Sequence, residues 1–235
     1  RRDKAANIFL SSFYKYTRLF NLQRNKYLTK SKKRPLGIRA TQIKQILHMD
    51  VTIFRSADQT KIYVFIIQDN FSRAILGCKA ALNCKASIAM ENLREVCKKH
   101  NLFYKPVKLI TDGGSENNGE VNDLLLDPNL DIRKLVAKRN IIFSNSMVEA
   151  VNKKLKYEFL FTKKLLNLKN TQDFLKIAVE EYNNRPQHIL HGSTPNEILN
   201  GQIPDYNRYK SDLTSAKKIR MEENILSVSC GVCRD

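Results

Sequence analysis

Hydrophobic and polar positions alternate through "QILHMDVTIF" (45–54). His48, Asp50 and Thr52 share one face of an extended strand, while Leu47, Met49, Val51 and Ile53 share the other. "KIYVFIIQD" (61–69) is apolar on both faces, as a central strand requires. "RAILGCKAAL" (73–82) follows after the short turn "NFS", and this spacing predicts an antiparallel meander. The period then lengthens. In "SIAMENLREVCKKH" (87–100), Ile88, Ala89, Leu93, Val96 and Cys97 fall on one side of a helix. "VKLITD" (107–112), bounded by Pro106 and Gly113, predicts a fourth strand, and "DIRKLVA" (131–137) a fifth.

Helical spacing dominates the second half. From 146 to 160, Val148, Val151, Leu155 and Phe159 form a core stripe. Glu149, Asn152, Lys153 and Lys156 form the adjacent stripe at i, i+3, i+4 and i+7. "TQDFLKIAVEEYNNR" (171–185) is a further helix stopped by Pro186. "STPNEILNG" (193–201) is a short one, with a Ser/Thr cap, Pro195 near its start and Gly201 past its end. "NIFLSSFYKYTRLF" within the first twenty residues also reads as helix. The tail from 206 has weak periodicity and receives no assignment. Three strands, a helix, two strands and then helices predict an α/β domain with a mixed sheet.

Composition adds a partner to this picture. The chain of 235 residues suits one domain with extensions, and 42% hydrophobic residues suffice for a core. No apolar run reaches the roughly 18 residues of a membrane helix. The opening "RRDKAANIFLSSFYKYTRLF" lacks the apolar segment of a secretory signal, and its missing Met reads as a piece of a longer protein. The net charge is +18, which predicts a polyanionic partner, nucleic acid first and no membrane. Residues 1 to 44 carry thirteen Lys or Arg against one acid, Asp3, with the densest run in "KSKKRPLGIR" (30–39). Lys32, Lys33 and Arg34 are therefore candidate DNA contacts; a solvated arm is the alternative.

Five cysteines at 78, 84, 97, 230 and 233 are odd in number, and three lie in predicted core elements. They read as free thiols of a reducing compartment. "CGVC" (230–233) lacks a second ligand pair for zinc, and His188 and His191 lack a Cys partner at useful spacing.

Three carboxylates stand out. Asp50 is a charge inside an apolar strand, Asp112 ends a strand before "GGSENNG", and Glu149 opens a helix that borders the core. Each has a plain alternative. Asp50 could face solvent, Asp112 could start a turn, and Glu149 could close the Ser-x-x-Glu capping box of "SMVE" (146–149). His48, on the Asp50 face, reads as a partly buried structural histidine. Oxygen-only ligands from separate elements suit Mg²⁺.

"HMDVT", "TDGGSEN" and "NSMVEAVNKKLKYEF" resemble the three acidic motifs of the DDE transposase and retroviral-type integrase catalytic core. The second and third acids are separated by 36 residues (149 − 112 = 37), close to the family's usual spacing. "IIQDNFSRAILG" (66–77) resembles the family's second and third strands with the Asp-x-x-Ser-Arg turn. "EYNNRPQHILHGSTPNEIL" (181–199) is similar to the segment after the core in insertion-sequence transposases of the orfB type, to which the resemblance is nearest. Two departures concern packing: no Trp precedes Asp50, and the spacing in "YNNRPQH" is altered.

The resemblance implies a ribonuclease-H-like fold: a mixed five-stranded sheet flanked by helices, with a basic N-terminal arm and a helical C-terminal extension. The divisions expected are a basic segment over 1–40, a catalytic core over 41–165, a helical extension over 166–205 and a tail over 206–235. It further implies that Asp50, Asp112 and Glu149 are catalytic and hold two Mg²⁺ ions, with Mn²⁺ able to substitute. The activity implied is cleavage at DNA element ends and strand transfer into target DNA, by at least a dimer on DNA. A cytoplasmic, nucleoid-associated protein is expected. Asn152, Lys153 and Lys156 are candidate DNA contacts, because ten Lys or Arg and two acids lie between Arg133 and Lys169. A retroviral-type integrase and a catalytically silent DNA-binding remnant are the alternatives.

Overall fold

Two faces of one sheet are buried here, and the side-chain alternation along its strands decides which helix covers which face. The computed structural model describes residues 10–20, 38–137, 145–205, 207 and 210–228. Two compact units are distinguished: Arg1–Arg34 together with Tyr206–Asp235, and Pro35–Asp205. In the first, α1 (Leu10–Leu19) falls inside the segment read as helical.

The second unit holds the sheet. Strands β1 (Ile46–Arg55), β2 (Lys61–Asp69) and β3 (Ile75–Ala81) form the predicted antiparallel meander. Helix α2 (Ala86–Lys99) carries the chain over to β4 (Val107–Thr111), which runs parallel to β1 from Ile46↔Lys108 to His48↔Ile110. After a 3₁₀ turn (Ser115–Asn117) and α3 (Glu120–Leu124), β5 (Ile132–Val136) pairs in parallel with β4. The order is β3-β2-β1-β4-β5, a mixed five-stranded sheet of the ribonuclease-H-like type. The 3₁₀ turn and α3 lie in "GGSENNGEVNDLL", where glycine and asparagine mask so short a helix.

Helix α4 (Ser146–Lys154) continues through a π turn (Leu155–Phe159) and a 3₁₀ turn (Leu160–Thr162), so the predicted helix over 146–160 is helical throughout but changes pitch. Helix α5 (Leu168–Asn184) starts three residues before its predicted beginning. Asn167 caps it, its side chain accepting from the Asn170 amide at 3.0 Å. Helix α6 (Pro195–Leu199) has a full capping box between Thr194 and Glu197, with Pro195 in its first turn. In the first unit, α7 (Lys210–Val228) occupies the tail left unassigned. The described side chains from Thr214 to Glu223 are all exposed, so no apolar stripe marks it.

The odd-numbered face of β1 packs Leu47 and Met49 with Phe65 and Ile67 of β2 against Ala89, Leu93, Val96 and Cys97 of α2. The other face packs Phe54, Ile62, Val64 and Ile66 against Val148, Val151, Leu155 and Phe159, with Leu175 and Ala178 of α5 beyond. The predicted core stripe of α4 is thus fully buried. Gly77 permits close docking of α2 on β3: a Cβ there would stand 2.5 Å from Val96 Cγ2 and 2.7 Å from Asn92 Oδ1. Among the described residues no helix is long and apolar enough to cross a membrane.

Candidate active site

Asp50 is half-buried in β1, on the face that meets α4. Two residues beyond the last β1–β4 pair, His48↔Ile110, stand Asp50 and Asp112. Parallel pairing therefore brings the two aspartates to neighbouring strand positions. Asp112 leaves β4 at once into the glycine turn, and its Oδ1 accepts from the Gly114 amide at 3.1 Å and from Asn117 Nδ2 at 2.5 Å. The turn fixes the carboxylate, a local Asx geometry that Asp and Gly favour.

Glu149 lies exposed in the first turn of α4. The capping box read as its alternative does not form. Asn145 is the N-cap, and no side-chain cap hydrogen bond is made. One turn after Glu149, Asn152 is buried, and its Nδ2 donates to Asp50 Oδ2 at 2.6 Å. That bond sets the Glu149 face of α4 against Asp50. Of the three residues on this segment expected to touch DNA, Lys153 is exposed, Lys156, in the π turn, is half-buried and Asn152 faces Asp50 instead. Lys32, Lys33 and Arg34 lie outside the described residues, as do Cys230 and Cys233.

The electrostatics agree with this grouping. Burial, then the Asp112 carboxylate, push Asp50 up to about 6; Glu149 and Glu116 add smaller repulsions in the same direction. Glu116 is a fourth acid that the sequence reading passed over inside "TDGGSEN". Its carboxylate folds against Gly114.

His48 is buried and makes two ring contacts. Nδ1 meets Asn145 Oδ1 at 2.7 Å and Nε2 meets Asn70 Nδ2 at 2.8 Å. Asn145 Nδ2 donates to the Met49 carbonyl at 3.0 Å, and Asn70 Oδ1 accepts from the Ala40 amide at 2.8 Å. These bonds orient both amides, so the imidazole is neutral and carries its proton on Nδ1. Burial lowers its pKa to about 4, consistent with that form. His48 is structural, as read, but more deeply buried. It pins the start of α4 to β1.

The Asp-x-x-Ser-Arg turn is also structural. Asp69 is buried; its Oδ2 accepts from the Ser72 amide at 2.7 Å and the Ser72 hydroxyl at 2.6 Å, and its Oδ1 accepts from the Lys44 amide at 2.8 Å. Cys78, Cys84 and Cys97 are free thiols.

The donor set is oxygen-only and suits a hard divalent cation in kind. Two buried amide oxygens, Asn117 Oδ1 and Asn152 Oδ1, lack a hydrogen-bond partner, and both belong to residues that hold the aspartates. The carboxylates are not drawn into a finished cage. Among the described residues no three His, Cys, Asp or Glu side chains converge closely enough to hold an ion.

No protein-family model matches the chain, and no curated protein matches its sequence. Solved structures do match. A chain of the simian T-cell lymphotropic virus intasome, determined in complex with PP2A regulatory subunit B56 gamma, is 20% identical over 74% of this chain, with a TM-score of 0.59. The match spans 62% of that chain's length. The HTLV-2 integrase catalytic core domain in complex with magnesium, in trimeric and dimeric forms, is 19% identical over 68% of this chain and 99% of its own, with a TM-score of 0.52. At these identities the likeness establishes the fold.

Proposed function

We propose that the chain is a polynucleotidyl transferase of the DDE transposase and integrase type, cutting DNA at element ends and joining the freed ends to target DNA. The observation that carries this reading is the placement of three sequence-distant acids about the β1–β4 pair: Asp50 within β1, Asp112 just past the end of the parallel β4, and Glu149 on the helix bonded to Asp50. The ribonuclease-H-like fold and the net charge of +18 support it.

Asp50, Asp112 and Glu149 would hold the metal. When bound, two Mg²⁺ ions (or Mn²⁺) supply charge neutralisation at the scissile phosphate and a more reactive attacking oxygen. The chain's own groups do the positioning. Asn152 orients Asp50, and the Gly114 amide and Asn117 orient Asp112. Lys153 and Lys156 hold phosphates beside Glu149, and Lys32, Lys33 and Arg34 are further phosphate contacts. Water is the nucleophile for cleavage and a 3′-hydroxyl for joining, so no covalent protein–DNA bond is required. The working form is at least a dimer on DNA; the dimeric and trimeric HTLV-2 cores are consistent with self-association. The segment "YNNRPQHILHGSTPNEIL" favours the insertion-sequence side of the family over the retroviral side.

The test is Mg²⁺- or Mn²⁺-dependent nicking and strand transfer on labelled duplex, with Glu149→Gln as control. Product that vanishes in the variant supports the reading. Binding without product on the element's own ends points to a silent remnant, and product that survives in the variant removes Glu149 from the chemistry.

A further inference from the structure

Beyond Glu149 the same helical edge turns aromatic. Glu149, Lys153, Tyr157 and Phe161 follow at intervals of four, so they run along one side of the segment 146–162. Tyr157 is 63% exposed and Phe161 55% exposed, unusual for rings in a well-packed unit. Neither ring is loose. Phe161 rests on Phe54 with centroids 5.8 Å apart and planes tilted by 40°, and Tyr157 meets Phe161 edge-on at 5.4 Å and 68°. Phe54 is buried on the Asp50 face of β1, four residues further along, which sets it roughly 13 Å from Asp50 along the strand.

The surroundings are cationic. Lys153, Lys154, Lys156, Lys163 and Lys164 flank the rings, and Glu158 is the one acid among them. Arg185 pairs with that acid at 3.2 Å and with Glu181 as well. A held aromatic ledge among lysines suits a ligand that is both polyanionic and flat-faced. Single-stranded DNA is that ligand, since base–aromatic stacking tolerates any sequence and lysines take the phosphates. A paired duplex hides its base faces and offers them only where an end has opened.

We propose that Tyr157 and Phe161 form a stacking ledge for an unpaired base at an opened DNA end, leading from the phosphate-binding lysines away from the carboxylates. The proposal rests on the polynucleotidyl-transferase reading above and adds to it the state of the DNA that is bound.

The experiment uses the 235-residue chain and two probes: a blunt duplex, and the same duplex with a short overhang carrying 2-aminopurine. The wild-type chain is expected to quench 2-aminopurine and to bind the overhang probe more tightly than the blunt one. Tyr157→Ala is expected to weaken overhang binding by about 5- to 150-fold, the range of one lost stack, with blunt binding unchanged. Tyr157→Phe keeps the ring face and should restore quenching. Thermal melting checks that each variant folds. Equal losses on both probes, or no loss on either, overturn the ledge, and so does a variant that changes only the sedimentation coefficient, which would make the rings a protein interface. Metal-dependent strand transfer is followed in parallel. If it persists and depends on Glu149 while Tyr157→Ala binds like wild type, the ledge alone falls; if the wild-type chain neither binds nor joins DNA, both readings fall.

Discussion

Asn152 Nδ2 donates to Asp50 Oδ2 at 2.6 Å, across 102 residues of chain. A buried amide thus turns one carboxylate oxygen towards helix α4. Asn152→Ala removes that constraint without touching a carboxylate. Strand transfer is expected to fall by about 10- to 100-fold, as when the group orienting a ligand is lost. The affinity for duplex DNA should stay within about twofold, because Lys153 and Lys156 are retained. A variant that loses binding and joining in proportion would instead make Asn152 a DNA contact.

His48 ties the N-cap of α4 to β1 and to the turn that follows β2. His48→Leu keeps the bulk but leaves Asn145 Oδ1 and Asn70 Nδ2 buried without their ring partners. Asn145 Oδ1 is then orphaned, at about 1–3 kcal/mol, while Asn70 Nδ2 keeps the Ile38 carbonyl at 3.2 Å, so denaturant unfolding should show a loss of about 1–3 kcal/mol. His48→Gln can supply a donor and an acceptor and is expected to recover part of it. If His48→Leu unfolds at the wild-type midpoint, the network is incidental.

Lys134 of β5 reaches under the Asp112 loop. Its ammonium donates to Asn118 Oδ1 at 3.0 Å, to Asn122 Oδ1 at 2.8 Å and to the Asn117 carbonyl. Asn117 in turn holds Asp112. In Lys134→Met the stem remains and the three acceptors lose their donor. Amide exchange should quicken over 113–124 and stay unchanged in β1 and β2, with strand transfer reduced. Exchange that quickens nowhere would mean the loop holds itself.

Thiol chemistry probes the packing of β3 and α2. Burial pushes Cys78 up to about 12 and Cys97 up to about 11, so neither is a thiolate at pH 8. Cys84 sits half-buried in the turn between those elements. Mass mapping after brief alkylation of the native chain should find Cys84 modified well ahead of Cys78 and Cys97. Early modification of Cys78 would show that β3 opens at its edge.

Much of the fold was legible because it is local. Alternation in β1, the two-faced apolar run of β2 and the helical stripe of Val148, Val151, Leu155 and Phe159 each fit one element. The three acids were visible because each breaks such a pattern: a charge inside a strand, a carboxylate before two glycines, an acid beside a core stripe. What escaped is what long-range packing decides. Asn145 and His48 are 97 residues apart, and no periodicity links them. The capping box of "SMVE" was a sound local reading, but Asn145 took the N-cap position, so Glu149 is not bound in that box. Asn152 read as a surface residue from its stripe, yet the approach of α4 to β1 buried it. Helix α3 is one turn long, and the described side chains of α7 from Thr214 to Glu223 are all exposed, so neither left a pattern to read.

Gly77 tests how closely α2 must dock on β3. Its ideal Cβ would lie 2.5 Å from Val96 Cγ2, closer than carbon atoms approach without repulsion, and 2.7 Å from Asn92 Oδ1. Val96 is buried in the core, and Asn92 donates to the Phe65 carbonyl at 3.3 Å, so neither neighbour moves freely. Gly77→Ala must therefore shift the helix or strain a rotamer, at about 1–3 kcal/mol for one inserted methyl. The backbone freedom that Ala removes from the unfolded chain offsets only about 0.4–1 kcal/mol of this. Thermal unfolding should show a lower midpoint. Because Gly77 lies on the edge strand β3, two strands from β1, the order of strand-transfer rates among the Asn152 and Lys134 variants should be the same in the Gly77→Ala background. A Gly77→Ala protein as stable as the wild type would mean that α2 can slide on the sheet, and the tight contact at Val96 would then not be what fixes that helix.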